Sequence, residues 1–325
     1  MITVLGAGSV GCFVGGMLAA AGQPVTLIGR EQMVRATAQG LCVHDLSERA
    51  HHARPIVTAD PTVLRHATII LVCVKSADTH EAAGLIKLHA SKDAHVISLQ
   101  NGLTNVAVLR DVLGQSHVTA GMVGFNVVRH TPDTFAQTTE GELVVDPSGK
   151  PFEQLFGQSY LEVTAHQNMK GVQWSKLLLN LNNAINVLSG LPLRAQLQQR
   201  GWRRVLAECI AEGLSVAKAE GVRLERLGKI HPRLLPALLR LPNAIFLRIA
   251  QPMMQISPTA RSSMADDYDM GRVSEVAWLN GFIVDQAHAH SLRAPVNARV
   301  VGAINAAFAD ADRPALSHEP SAFLT

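Results

Sequence analysis

The stretch WSKLLLNLNNAINVL, residues 174–188, places one lysine and four asparagines in an otherwise apolar segment. At about 100° per residue of a helix, Lys176, Asn180 and Asn183 share one side. The opposite, packing side consists of Leu177, Leu178, Leu181, Ile185 and Leu188. Asparagine is a poor helix former, so a face in bulk water would more readily carry Glu, Gln, Lys or Arg. The pattern therefore predicts a half-dry polar wall with hydrogen-bond donors, acceptors and one ammonium group.

Two interpretations of this segment are open. In the first, burial lowers the pKa of Lys176, so that its ammonium group can donate a proton near neutral pH. In the second, the asparagines form a buried amide network that holds two helices together, with Asn182 and Asn186 near the border of the polar side.

A glycine-rich turn, GAGSVG (6–11), follows the strand-like run ITVL (2–5) and opens a helix of small residues. In this G-x-G-x-x-G pattern the first glycine permits a tight turn, and the second lets the backbone approach a pyrophosphate. The third lets the helix pack close to the strand. The free N–H groups of the helix N-terminus would then bind the phosphates. The predicted cofactor-binding residues here are Gly6, Gly8, Ser9, Val10 and Gly11.

The end of the second strand, LIGRE (27–31), bears on the choice of dinucleotide. An acidic residue at this tip usually binds the ribose of NAD, whereas an arginine suits the 2′-phosphate of NADP. Arg30 comes before Glu31, and a guanidinium group can bind phosphate and stack on adenine. We therefore expect NADPH. Lys75, which ends ILVCVK, lies at the carboxyl edge of another strand, where cofactor phosphates and riboses are expected.

The elements that must position these residues change character near Tyr160. Before it, continuous apolar strands alternate with helices, which predicts a parallel sheet covered on both faces. HVTAGMVGFNVV (117–128) and ELVVDP (142–147) are predicted to close the same sheet. After it, apolar residues recur at helical spacing. We predict an α/β chain, with a Rossmann-type parallel-sheet domain over residues 1–168 and an all-α domain over 169–325. Five prolines should cut 225–260 into short helices and turns, and the last fifteen residues should form a loose tail.

Composition narrows the function classes. The 325 residues are 47% hydrophobic and 17% charged with a net charge of +3, which supports a large core and argues against disorder. Lys and Arg are dispersed and aromatic residues are few, so nucleic acid is not expected as a partner. Four scattered cysteines, predicted to be buried, suit a reducing compartment. With no lipid-spanning segment expected and strand-like residues from Ile2, we expect a cytoplasmic protein without a membrane partner. Neither closest histidine pair, His51 with His52 or His288 with His290, has zinc-ligand spacing, so no metal is expected.

Several motifs together resemble one family, the ketopantoate reductases (2-dehydropantoate 2-reductases). They run in that family's order along nearly the whole chain. The matching segments are GAGSVG, TLIGR (26–30), CVKS (73–76), LQNGLTN (99–105), WSKLLLN (174–180), SSM (262–264) and GRVSEVAWLNG (271–281), followed by Ala294, Pro295 and Asn297.

The resemblance implies an NADPH-binding Rossmann domain, a helical domain, and an active site in the cleft between them. The reaction would reduce 2-dehydropantoate to (R)-pantoate in pantothenate synthesis. In this family's pattern Lys176 is the general acid and Glu275 binds the substrate, while Asn101 lies beside the nicotinamide. Family contacts to the substrate match Asn180, Ser263 and Asn280, and cofactor contacts match Arg30 and Lys75. Catalytic positions are thus Lys176 and Glu275.

Three departures from the family pattern bear on the substrate. A second substrate-facing asparagine is replaced by Ala184, an aspartate by Ala277, and a glutamate near the cofactor by Val296. An alternative is therefore the reduction of another branched 2-oxo acid. A dinucleotide-binding sensor without turnover is a further alternative, which Lys176 and Glu275 disfavour because a sensor needs neither.

The residues add three local expectations. Ser263 and Asp266 form a capping-box pattern, so a helix N-terminus could receive the substrate carboxylate. Glu275 is expected within a helix, where it could also hold Lys176 protonated. The helical half offers faces for a homodimer.

Overall fold

The computed structural model describes residues 1–115, 117–149, 156–157, 159–228, 230–251 and 257–324. The chain divides into two compact units, Met1–Met169 and Lys170–Thr325. The first unit is α/β and the second is helical, which confirms the predicted fold class.

The first unit contains a large mixed sheet and a small second sheet. The large sheet has eight strands in the order β12-β11-β8-β7-β6-β1-β2-β5, and the small one has four in the order β4-β3-β10-β9. Neighbouring strands of the large sheet are parallel, except that β11 runs antiparallel to β8. The strands are β1 Ile2–Leu5, β2 Val25–Ile28, β3 Leu41–His44, β4 Ala50–Ala53, β5 Ile56–Thr58, β6 Ile69–Val72, β7 His95–Ser98, β8 Val118–Val123, β9 Val127–Thr131, β10 Thr134–Gln137, β11 Leu143–Val145 and β12 Val163–Ala165.

Within the described part of this unit, four helices accompany these strands: α1 Ser9–Ala20, α2 Glu31–Ala36, α3 Thr79–His89 and α4 Asn105–Leu113. Helix α1 is buried on most sides because it packs against β2 of the large sheet and against all four strands of the small sheet. Its small residues make this possible. A Cβ atom on Gly15 would lie 2.6 Å from Leu27 Cδ2, and one on Gly16 would lie 2.8 Å from Val43 Cγ1.

The predicted strand over 117–128 is two strands in different sheets. β8 joins the large sheet as expected, but β9 belongs to the small sheet, so the expectation of one sheet is wrong for this part. The chain leaves β8 at Gly124, whose N–H donates to Glu142 O (2.9 Å). A Cβ atom there would lie 2.5 Å from that oxygen, so only glycine fits this turn.

The second unit is built from nine helices over the residues that the structure describes. They are α5 Met169–Asn180, α6 Asn182–Ser189, α7 Leu193–Gln198, α8 Arg200–Ala219, α9 Leu235–Arg240, α10 Asn243–Ile249, α11 Ser263–Asp269, α12 Asn280–Ala289 and α13 Pro295–Ala309. Short 3₁₀ helices span Pro232–Leu234, Val276–Trp278 and Pro320–Phe323. As predicted, the proline-rich region is cut into short elements: Pro232 starts a 3₁₀ helix and Pro242 precedes α10. Pro252 lies outside the described residues.

The C-terminal residues are not the loose tail that their polar composition predicts. Phe323 is buried and its ring centroid lies 5.9 Å from that of Trp202. Tyr268 Oη donates to Pro314 O (2.9 Å), and His318 N donates to Leu188 O (3.1 Å). One buried aromatic side chain and these backbone acceptors fasten the segment to the helical unit.

All four cysteines are free. Cys12 and Cys209 are buried as predicted, but Cys42 and Cys73 are only half-buried: Cys42 lies on the more exposed face of β3, and Cys73 directly follows the last residue of β6. Within the described ranges, no three His, Cys, Asp or Glu side chains are placed to hold a metal ion. None of the described helices is long and apolar enough to cross a membrane.

Candidate active site

Lys176 lies on α5, on the side opposite the aliphatic stripe. Each residue of this stripe is at most 1% exposed, as the helical spacing predicts; the residues are Leu177, Leu178, Leu181, Ile185 and Leu188. Lys176 is half-buried, and this burial lowers the pKa of its ammonium group from 10.5 to about 8. Burial is the cause of this shift, and a role of Glu275 in holding Lys176 protonated stays a prediction. Lys176 is therefore a group that can give up a proton near neutral pH.

The asparagines of this segment divide between the two interpretations. Asn186 is fully buried; its Nδ2 donates to Leu191 O (2.8 Å) and Gln196 Oε1 (2.9 Å). Gln196 Nε2 in turn donates to Asn182 Oδ1 (2.7 Å). The amide-network interpretation therefore holds for Asn182 and Asn186. The half-buried polar wall consists of Lys176, Asn180 and Asn183.

The helix that carries Ser263 begins one residue earlier than the capping-box pattern implies. Ser262, not Ser263, is the N-cap: its Oγ accepts from Ala265 N (3.2 Å) and donates to Asn183 O (3.0 Å). The capping box of Ser263 with Asp266 is therefore wrong. Ser262 takes this place because Asn186 Oδ1 accepts from its backbone N–H at 2.9 Å. Ser263 is exposed, and the cap does not use its hydroxyl.

Glu275 is buried, with 8% of its surface exposed, at the N-cap position of the 3₁₀ helix Val276–Trp278. The prediction that Glu275 lies within a continuous helix is therefore wrong. The chain breaks at Leu279 (φ −110°, ψ −94°) before α12 begins at Asn280. Asn280 is fully buried and its Nδ2 donates to Asn297 Oδ1 (2.9 Å), so it is a residue of the interior.

The glycine turn has the geometry that a dinucleotide requires. Gly6 has a φ of 110°, and a Cβ atom there would lie 2.6 Å from Val74 N. A Cβ atom on Gly11 would lie 2.1 Å from Gly6 O, so the third glycine keeps helix and strand in close contact. A Cβ atom on Gly8 would meet nothing within 4 Å, which leaves space for a ligand against the backbone. Helix α1 has no side-chain cap and no acidic residue in its first turn, so its N-terminus suits an anion.

The remaining predicted cofactor residues follow neighbouring strands of one sheet edge. The strands β2, β1, β6 and β7 are adjacent and parallel, and Arg30, the glycine turn, Lys75 and Asn101 follow them in that order. Arg30 is exposed and directly follows Gly29, where a Cβ atom would lie 2.6 Å from Ala7 Cβ. Lys75 and Asn101 are half-buried. This edge is where open α/β sheets bind their ligands.

A buried hydrogen-bond network that the motifs did not reveal joins the loops of Lys75 and Asn101. Thr79 Oγ1 accepts from Gln100 Nε2 (2.7 Å) and lies 2.9 Å from Asn105 Oδ1. Asn105 Nδ2 donates to Asn101 O (2.6 Å) and to Ser76 Oγ (3.1 Å). The only sequence signal is the clustering of polar residues after two apolar strands. The network fixes the backbone on which Asn101 is presented.

Comparison with known proteins finds relatives that match both units of the chain. The model of the family "Ketopantoate reductase PanE/ApbA" matches residues 2–150, and the model of its C-terminal domain matches residues 168–308. A 2-dehydropantoate 2-reductase of Halobacterium salinarum is 30% identical over 305 residues, covering 91% of this chain and 94% of the relative. One of Caulobacter vibrioides is 27% identical over 308 residues, covering 94% and 98%.

Solved structures show the same two-unit architecture. A PanE/ApbA family ketopantoate reductase from Ralstonia eutropha JMP134 has a TM-score of 0.81 and 33% identity, covering 94% of this chain and 98% of its own. A D-mandelate dehydrogenase, solved with NADH and anilino(oxo)acetate, has a TM-score of 0.79 at 17% identity with the same coverage. At that identity the second likeness concerns the fold alone.

Proposed function

The chain belongs to the ketopantoate reductase family, and from that premise we propose that it reduces 2-dehydropantoate to (R)-pantoate with NADPH. The observation that carries this proposal is Lys176, a half-buried amine whose pKa is lowered to about 8 on a wall otherwise built of neutral amides. A dinucleotide-binding sensor would have no use for such a group. The curated relatives named above share the proposed activity in their names.

The reaction requires a proton for the oxygen of the ketone and stabilisation of the negative charge that develops there. Lys176 supplies both, because its ammonium group donates the proton and is positive while the charge forms. NADPH supplies the hydride to the carbonyl carbon when it is bound. The half-dry surroundings of Lys176 strengthen its electrostatic effect relative to a lysine in water.

Substrate recognition is assigned to groups of complementary chemistry. Asn180 and the exposed hydroxyl of Ser263 offer donors to a carboxylate, and the carboxylate of Glu275 accepts from a substrate hydroxyl. Burial of Glu275 makes such a hydrogen bond stronger than it would be at the surface. Asn101, fixed by the network below it, is assigned to the nicotinamide side of the site.

The preference for NADPH over NADH rests on Arg30. It is exposed beside the glycine turn, at the tip of β2, where the 2′-phosphate of a bound NADPH is expected. Gly6, Gly8, Ser9, Val10 and Gly11 would hold the pyrophosphate, and Lys75 would contact phosphate or ribose.

A second candidate is the same reduction of another branched 2-oxo acid. Ala184, which stands where the family often has a substrate-facing asparagine, is fully buried. Ala277 is exposed and lacks the carboxylate of the family pattern. A site with fewer polar contacts discriminates less between a hydroxylated substrate and its apolar analogue.

The test is NADPH consumption by the purified protein with 2-dehydropantoate and with 2-oxo acids that lack its hydroxyl, such as 2-oxoisovalerate. The proposal predicts the highest kcat/KM with 2-dehydropantoate. Faster turnover of an analogue supports the second candidate. If NADPH is consumed with none of these 2-oxo acids, both candidate reactions are contradicted, and the dinucleotide-binding sensor is the function that remains. Sedimentation of the same sample tests the expected homodimer.

A further inference from the structure

Three side chains that the proposed mechanism does not use form one hydrogen-bonded chain in the second unit. Glu212 lies on α8, and its carboxylate oxygens accept from Val296 N (2.8 Å) and Asn297 N (2.9 Å). Asn297 Nδ2 donates to Glu212 Oε2 (2.7 Å) and to Cys209 O (3.1 Å). Asn280 Nδ2 completes the chain by donating to Asn297 Oδ1 (2.9 Å).

Glu212 acts as a cap supplied from another helix. The N-cap residue of α13, Ala294, has no side-chain hydrogen bond to offer, and Pro295 occupies the first turn. The carboxylate therefore satisfies N–H groups that the local sequence leaves open, at the positive end of the helix dipole. Hydrogen bonds to an ionised group are about twice as strong as neutral ones. The cap thus fixes the start of α13 to the middle of α8.

These hydrogen bonds connect Glu212 to the segment that carries Glu275. Asn280 is the first residue of α12, and only one 3₁₀ turn and Leu279 separate it from Glu275. Asn280 is fully buried, and its Oδ1 has no hydrogen-bond partner among the described residues. The bond to Asn297 is therefore the hydrogen bond that orients this side chain, and with it the start of α12.

Gly213, the next residue on α8, packs against the helix that carries Lys176. A Cβ atom on Gly213 would lie 2.6 Å from Leu178 Cδ2 and 3.7 Å from Leu181 Cδ1. Two consecutive residues of α8 therefore contact the two functional segments: Gly213 packs against the lysine helix, and Glu212 holds the segment of Glu275 through Asn297 and Asn280.

We propose that Glu212 is a positioning residue that sets the placement of Glu275 relative to Lys176, and that Asn280 transmits this constraint instead of contacting the substrate. The inference rests on the proposed function. Its physical basis is that a misplacement of about 1 Å in a site residue can cost an enzyme about a hundred-fold, and that a displaced Glu275 would weaken the binding of the substrate hydroxyl. Glu212→Gln keeps the size of the side chain but turns one acceptor into a donor that faces backbone N–H groups.

The experiment measures KM and kcat for 2-dehydropantoate, and the Kd of NADPH by fluorescence titration, in Glu212→Gln, Asn280→Ala and the double variant. We expect kcat/KM to fall about ten- to hundred-fold in Glu212→Gln, mostly through KM, with the Kd of NADPH unchanged. The kcat/KM of the double variant should be no lower than that of the worse single variant, because both substitutions break the same series of hydrogen bonds. Glu212→Asp keeps the carboxylate, so its KM should lie nearer the parent's.

The matched control is Val300→Ala, which removes a fully buried side chain from α13 without touching the hydrogen-bonded chain. It should lower the melting temperature and leave KM unchanged. A parent-like KM in Glu212→Gln, additive losses in the double variant, or an equal loss of NADPH affinity would overturn the inference while the proposed function stands. If Glu212→Gln does not fold, Asn297→Ala, which removes the same side-chain hydrogen bonds at a residue without an assigned substrate contact, decides by the same KM criterion. A parent protein that turns over no 2-oxo acid overturns both.

Discussion

The lowered pKa of Lys176 makes a quantitative prediction about the pH dependence of the reaction. A proton donor must be protonated before the chemical step, so the rate follows the fraction of Lys176 in the ammonium form. An ordinary lysine with a pKa of 10.5 would stay protonated across the usual assay range, whereas burial brings the pKa of Lys176 to about 8. The kcat/KM profile should therefore fall above pH 8.

The size of this effect follows from the pKa. Between pH 7 and pH 9.5 the ammonium fraction of a group with a pKa of about 8 decreases about thirty-fold, whereas an unperturbed lysine loses only about a tenth. Because kcat/KM reports the free enzyme, it should show the full decrease. The limb in kcat should lie at higher pH, since a bound substrate carboxylate favours the ammonium form.

The assay is NADPH consumption from pH 6 to pH 10, with the stability of the protein checked at each pH. Lys176→Arg is the control, because a guanidinium group stays charged throughout this range. Its activity should be low and its profile should lack the limb near pH 8. A parent profile that is flat to pH 9.5, or a limb that persists in Lys176→Arg, would refute the assignment of Lys176 as the proton donor.

Three further predictions concern stability and cofactor binding. Lys176→Met should raise the free energy of unfolding at pH 7 by up to about 3 kcal/mol, because each unit of the lowered pKa corresponds to about 1.36 kcal/mol. Since the pKa of Lys176 is lower in the folded state than in the unfolded state, the parent protein should itself become more stable as pH rises from about 8 to 10.5. Denaturant melts that show neither trend would contradict this prediction. Gly8→Ala should fold normally but bind NADPH more weakly, whereas Gly11→Ala should lower the melting temperature, because only the Cβ atom at Gly11 would meet the backbone, at 2.1 Å. Equal melting temperatures of the two variants would be inconsistent with that geometry. Arg30→Ala should raise the Kd of NADPH about ten-fold or more and leave that of NADH nearly unchanged, and parallel losses in two titrations would argue against a 2′-phosphate contact.

Much of the first unit could be predicted from the sequence because its strands are apolar on both faces and its glycines mark one turn. The aliphatic stripe around Leu178 was equally clear, since helical spacing alone determines which residues share a side. These are local patterns. Where the chain switches sheets at Gly124, the deciding contact is with Glu142, which no local pattern reveals.

The rest of the candidate site depends on contacts between distant residues. Asn186 proved structural because Gln196 and Ser262 meet it, and the same contact moved the helix cap from Ser263 to Ser262. Glu212 looks like an ordinary surface charge in the sequence. Its role as a cap appears only when α13 begins beside it. The types of residue in the site were therefore predictable, but their hydrogen-bond partners were not.

Lys176→Ala separates a role of Lys176 in the chemical step, as proposed, from a role in holding the cofactor. Its kcat with 2-dehydropantoate and its Kd for NADPH are to be measured side by side. We expect kcat to fall by about 10²- to 10⁴-fold, the usual contribution of a general acid, while the Kd of NADPH changes by less than about three-fold. A variant that reduces 2-dehydropantoate at the parent's rate, or one whose slower turnover is matched by an equal loss of NADPH affinity, would show that Lys176 is not the proton donor.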